Sequence, residues 1–178
     1  MTGTAPHIPT LETGRLRLRA HRIEDFEAYA GFMASGRARF MGGPLDQRAA
    51  WASFCRDVAQ WALLGHGGLA IEITADSEHA PLAGQVGLNH HPYFDDKELG
   101  WLLFDGFEGR GIAAEAAETL RDRARETFPG TPIVSYIHAD NAASIRLAER
   151  LGATRDAASP CPYGNHIVYR HPTPEALQ

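Results

Sequence analysis

The stretch from Glu98 to Thr127 constrains this chain more than any other. Residues 98–104 (ELGWLLF) read as a central strand, 106–111 as a glycine-punctuated turn, and 112–127 as a long helix. A strand that turns through glycines directly into a helix points the helix's first unpaired N–H groups outward. Glycine lets a ligand come close to that main chain. With the helix dipole behind them, such donors suit an anion such as a pyrophosphate. A tight turn uses the same glycines with no ligand at all, so the rest of the chain must decide. The turn lacks the GK[ST] ending of a phosphate loop, and no third glycine completes a GxGxxG dinucleotide fingerprint.

Around this unit the pattern alternates between strand and helix periods. Residues 15–19 alternate Arg and Leu and predict a strand with one buried face. Ile23, Phe26, Tyr29, Ala30 and Met33 recur at helical spacing, with Gly31 and Gly36 limiting the run. A second helix starts at Asp46, a good N-cap, and carries an apolar stripe of Trp51, Phe54, Val58, Trp61 and Ala62 assigned to packing. Residues 69–74 and 82–88 predict a hairpin about a turn at 77–81. After the long helix come a strand over 132–138, a helix over 142–151 closed by Gly152, and a strand over 166–170.

At 178 residues, 44% hydrophobic and 22% charged, the chain suits one ordinary domain. That domain is expected over residues 11–171, with a loose lead-in over 1–10 and a Pro-rich tail over 172–178. The net charge of −5 gives no footprint for a phosphate backbone, which argues against nucleic acid and favours a cationic amine or basic peptide. Cys55 and Cys161 define neither a disulfide framework nor a zinc site, so a reducing cytoplasm is the expected compartment. No export signal or membrane span is read. Of the nine histidines, His90 and His91 are adjacent on a strand and point to opposite faces, so no metal is expected. Either can line an acceptor pocket or serve as an alternative base. Asp95 and Asp96 read as a solvated turn.

Residues 108–116 (EGRGIAAEA) are similar to the acyl-CoA signature [QR]xxGx[GA] of the GNAT superfamily of N-acetyltransferases, read at Glu108, Gly109, Arg110, Gly111, Ile112 and Ala113. Gly111 and Ala113 match. Glu108 stands where Gln or Arg is usual, which leaves the backbone N–H groups, through Ala114, as the cradle and Arg110 as the available cation. Residues 141–153 resemble a second family pattern, N-x-x-[SA]-x-x-[LV]-x-x-x-x-G-[FA]. Over most of 11–170 the likeness is to the ribosomal-protein N-terminal acetyltransferase branch.

The resemblance implies a single α/β (α+β) domain, a mixed and mostly antiparallel twisted sheet flanked by helices, with acetyl-CoA entering a V-shaped gap beside the glycine turn. It also implies a primary amine acceptor, either a protein N-terminus or a small molecule, and a homodimer. Leu102, Leu103 and Phe104 fall along the cofactor, with a main-chain N–H near Leu102 or Leu103 polarising the thioester carbonyl. Glu98 is the expected base, working through water. Ser144 contacts the CoA sulfur or passes it a proton, or only stabilises its helix; Asn141 contacts the pantetheine arm, caps its helix, or both. Ala148 stands where a tyrosine often protonates the thiolate, so that acid must come from elsewhere. The competing readings are a CoA-binding sensor without turnover and a plain nucleotide binder.

Overall fold

The computed structural model describes residues 7–74, 80–90 and 96–173. The strands are β1 (Leu11–Glu12), β2 (Leu16–Arg19), β3 (Gly68–Ile73), β4 (Leu82–Asn89), β5 (Lys97–Leu103), β6 (Ile133–His138), β7 (Thr154–Arg155) and β8 (His166–Arg170). The helices are α1 (Phe26–Ala34), α2 (Gln47–Leu64), α3 (Ile112–Thr127) and α4 (Ala142–Arg150), with 3-10 turns at Ile23–Asp25 and Gly36–Met41. One sheet runs in the order β1-β2-β3-β4-β5-β6-β8-β7. Among the described strands β5 and β6 pair in parallel and the other neighbours are antiparallel. This is the mixed, mostly antiparallel sheet flanked by helices that the resemblance implies. It adds two-residue edge strands, β1 and β7, too short for an alternation to show. Part of the expected turn at 77–81 and the ends of the chain lie outside the described residues.

Local chemistry accounts for the main boundaries. Asp46 Oδ1 accepts the Ala49 N–H at 2.7 Å and starts α2, and Gly65, in the left-handed region at φ +73°, ends it. Gly31 does not interrupt α1, because tertiary packing of Tyr29 and Met33 outweighs its low propensity.

Strand alternation divides the core in two. Leu16, Leu18, Leu69, Ile71, Val86, Leu88 and Leu99 meet Ile112, Ala116, Ala117 and Leu120 of α3 on one face. The other face is covered by α1 and α2, where Tyr29, Met33, Phe54, Leu102 and Phe104 pack together. That second face is also polar. Arg19 is buried, not solvated, and donates to Asp25 at 2.7 and 2.9 Å and to Glu72 at 2.6 Å. The α2 stripe is accordingly not purely apolar: Asp57 and Gln60 are buried on it, while Trp51 is 42% exposed.

β4 and β5 lie too close for any side chain at Gly84. A Cβ there would stand 2.2 Å from the Leu102 carbonyl oxygen and 2.9 Å from the Leu103 Cα, both backbone atoms that cannot rotate away. Gly84→Ala is therefore expected to destabilise the fold by about 1–3 kcal/mol, read as a lower urea midpoint with unchanged m.

Candidate active site

The site begins where two strands part. β5 and β6 pair at Lys97–Ile133 and Glu98–Val134. Beyond that point β5 continues against β4 as far as Leu103, and β6 continues against β8 as far as His138. The result is a fork with Glu98 at its apex. Ser135 Oγ donates to the Leu99 carbonyl at 2.6 Å in the crotch. Because β5 and β6 are parallel, the ends that feed α3 and α4 lie on the same side, at the open mouth of the fork, where ligands collect in sheets of this kind.

The register decides which main-chain groups line the fork. The Phe104 N–H donates to the Ala83 carbonyl at 2.8 Å. Antiparallel alternation then turns the main-chain groups of Leu102, opposite Gln85, toward β4 and those of Trp101 and Leu103 toward the fork. Of the two expected carbonyl-polarising donors, Leu102 and Leu103, it is Leu103 whose N–H lies along the open edge, and the N–H of Trp101 lies there with it. The side chains of Leu102 and Phe104 are buried against α1 and α2.

At the mouth, Gly109 and Gly111 adopt left-handed φ values of +72° and +76°. Gly111 is the N-cap of α3 and so offers no capping side chain. The first helical bond there runs from the Glu115 N–H to the Gly111 carbonyl at 3.1 Å, so the N–H groups of Ile112, Ala113 and Ala114 precede the helical ladder. The contrast with α4 is direct: Asn141 Oδ1 accepts the Ser144 N–H at 3.2 Å and caps that helix internally. An anion with several acceptor oxygens fits the bare end of α3 and has less to gain at α4. The Ile112 side chain belongs to the core, so only its backbone can serve a ligand. Arg15 Nη2 stands 3.2 Å from where a Gly111 Cβ would sit. Its Nε donates to Glu115 Oε2 at 2.6 Å, which offsets the acid in the helix's first turn. In sequence Arg15 is only a strand residue.

Glu98 projects onto the α1/α2 side of the apex with Gln85, Gly87 and Asn89 of β4, since Asn89 is its cross-strand partner. Burial, followed by the charge of Asp57, pushes its pKa up to about 7. Asp57 reaches this face from α2, accepts from Gln85 Nε2 at 2.9 Å, and is itself raised by burial. On the β6 side, desolvation and then nearby acids that include Glu98 raise Tyr136 to about 12; Tyr163 is raised by burial and then by Glu98. None of these partners is near Glu98 in sequence.

His90 is not on this face. It follows Asn89 by one residue and packs edge-on to His66 at 6.2 Å, on the α3 side. His66 there is held by the Leu88 carbonyl and Lys97 Nζ, and burial lowers its pKa to about 4. His91 lies outside the described residues. Among the described residues no three potential metal ligands gather, and no helix is long and apolar enough to cross a membrane.

Residues 15–154 match the family described as Acetyltransferase (GNAT) domain. The chain is 46% identical to an acetyltransferase from Agrobacterium tumefaciens str. C58, with a TM-score of 0.87 over 97% of this chain and 99% of that one. In fold it is similar to a Salmonella typhimurium acetyltransferase that modifies the N-terminal serine of ribosomal protein L7/L12, at 18% identity and TM-score 0.68 over 89% and 94% of the two chains. It is also similar in fold to the microcin C7 self-immunity acetyltransferase MccE, solved with acetyl-CoA and AMP, at 16% identity and TM-score 0.67 over 89% and 91%. The fork, the bare helix end and these matches lead to one conclusion: the chain belongs to the GNAT acetyltransferase family and is an N-acetyltransferase.

Proposed function

We propose that the chain uses acetyl-CoA to acetylate a primary amine, a protein N-terminus or a small-molecule amine, by direct attack in a ternary complex. The observation that carries this reading is the meeting, at one fork, of an uncapped helix N-terminus and a desolvated carboxylate. Acetyl-CoA supplies an acyl group activated as a thioester. The N–H groups of Ile112, Ala113 and Ala114, with Arg15 and Arg110 nearby, hold its phosphates. The main-chain N–H groups of Trp101 and Leu103, fixed along the open edge of β5, are placed to polarise the thioester carbonyl.

Glu98 takes the proton that the acceptor ammonium must lose, directly or through water. A pKa near 7 leaves it both available and basic enough at neutral pH. Asp57 and Glu98 together make this face acidic and draw a cationic acceptor toward it. Position 148 is a buried alanine, a side chain with no proton to give, so the leaving sulfur takes its proton from elsewhere. Ser144, part-exposed in the first turn of α4, contacts the sulfur and relays to it a proton taken up from water, so that its hydroxyl is restored as the thiol leaves.

Ser144→Ala keeps the N–H that Asn141 accepts and so preserves the start of α4. It is expected to lower kcat by about tenfold to a hundredfold while acetyl-CoA affinity changes by less than about twofold. Equal losses in both, or in neither, would remove Ser144 from the chemistry. The activity itself is tested by thiol release from acetyl-CoA against a panel of peptides with free N-termini and of polyamines. Acceptor-dependent release supports the reading, and its absence across the panel counts against it.

A further inference from the structure

Glu108 puts an acid at the position where the family signature carries Gln or Arg, at the mouth of a site read as a phosphate cradle. The structure provides that acid with a partner from far away in sequence. Arg37 lies in the 3-10 turn Gly36–Met41, and its guanidinium pairs with Glu108. The same side chain donates through Nη2 to the Leu103 carbonyl at 3.0 Å and through Nη1 to Asp105 at 3.3 Å. It lies 5.4 Å from the centre of the Phe32 ring, and the main-chain N–H of Arg37 donates to Ser35 Oγ at 3.2 Å. One planar group thus joins the open edge of β5 to two acids, Asp105 and Glu108, of the segment that turns into α3, an arrangement to which a rigid five-donor fork is suited and a lysine is not.

We propose that Arg37 is a positioning residue of the cofactor cradle: it neutralises Glu108, so that the turn presents only N–H donors to phosphate, and it fixes Leu103 at the edge of the fork. The proposal rests on reading the α3 N-terminus as the acetyl-CoA phosphate site. Arg37 brings from outside the motif a cation that offsets the acid at its first position, where the signature has Gln or Arg. Without Arg37, the Glu108 carboxylate faces the phosphates unpaired and repels them. Without Glu108, Arg37 keeps the Leu103 carbonyl and Asp105 and one carboxylate fewer stands at the cradle.

The test is a double-mutant cycle on the full chain, with acetyl-CoA affinity measured by calorimetric titration. Arg37→Gln is expected to weaken binding about tenfold. Glu108→Gln, at an exposed position, should bind as tightly as the natural chain or more tightly. The double variant should return to within about threefold of the natural chain. A purely structural hydrogen-bonding role for Arg37 is not rescued by Glu108→Gln, so a double variant as weak as Arg37→Gln overturns the proposal. So does unchanged binding in Arg37→Gln, or weaker binding in Glu108→Gln. Should Arg37→Gln fail to fold, the Glu108→Gln comparison still decides. If the natural chain does not bind acetyl-CoA, the cradle falls and the proposal with it; tight binding without coupling overturns the pairing alone.

Discussion

Glu98→Gln is expected to lower kcat by about 10²–10³-fold and to remove the rise of kcat with pH through neutrality. The sign follows from the site. As the proposed base Glu98 would work as a carboxylate; burial and the charge of Asp57 disfavour that form and push its pKa up to about 7, so the active fraction should grow as pH rises through 7. Glutamine fills the same space and cannot accept the proton. A variant that keeps the natural pH profile would exclude Glu98 as the base.

The same shift has a consequence for stability. The folded-state pKa of about 7 lies above the ordinary value of 4.5. The folded state therefore holds the proton more tightly, and the stability this contributes is fully present below about pH 4.5 and lost as pH rises through 7. Glu98→Gln should accordingly melt above the natural chain at pH 8, by roughly 2–4 °C for each kcal/mol recovered, and the difference should shrink below pH 4.5. A more stable and less active variant is the pattern expected of a strained catalytic group.

Gly111→Val is expected to weaken acetyl-CoA binding by at least about a hundredfold while the domain stays folded. Gly111 sits at φ +76°, a conformation that a β-branched residue adopts only with strain, and it is the last residue before the donors of α3. Among the described residues the one close neighbour of an added Cβ is Arg15 Nη2 at 3.2 Å, the end of a flexible side chain that can move aside. The loss in folding free energy should therefore be about 1–3 kcal/mol, visible in melting, while the far-ultraviolet spectrum is retained. The new isopropyl group would stand where, on the proposed reading, phosphate approaches the main chain. Undiminished affinity in this variant would mean that phosphate binds elsewhere.

Short-range signals were readable where one residue type does one job. The Asp46 cap, the glycines ending α2 and opening α3, and the amphipathic run of α3 all follow from local rules. The polar seam under α2 was not readable, because Asp57 and Gln60 are buried only by virtue of Gln85 and Asn89 arriving from β4. Within the site, the α3 turn was legible as a motif. The fork was not, since it depends on where β5 and β6 stop pairing, and no residue type marks that point. Arg15, Arg37, Asp57 and Tyr136 reach the site through tertiary folding alone. Arg37 left one indirect trace: an acid at Glu108, out of place in the signature, calls for a cation from elsewhere. His90 shows the converse, since one residue of strand alternation moves it from the acidic face to the α3 side.

The most direct measurement is calorimetric titration of the full chain with acetyl-CoA, and with ATP at the same concentrations. Saturable binding of acetyl-CoA with little or none of ATP is the expected result, because the turn resembles the acyl-CoA pattern at Gly111 and Ala113 and lacks both nucleotide motifs. No binding of acetyl-CoA, or binding of ATP as tight, would contradict the assignment of the α3 N-terminus and the mechanism built on it.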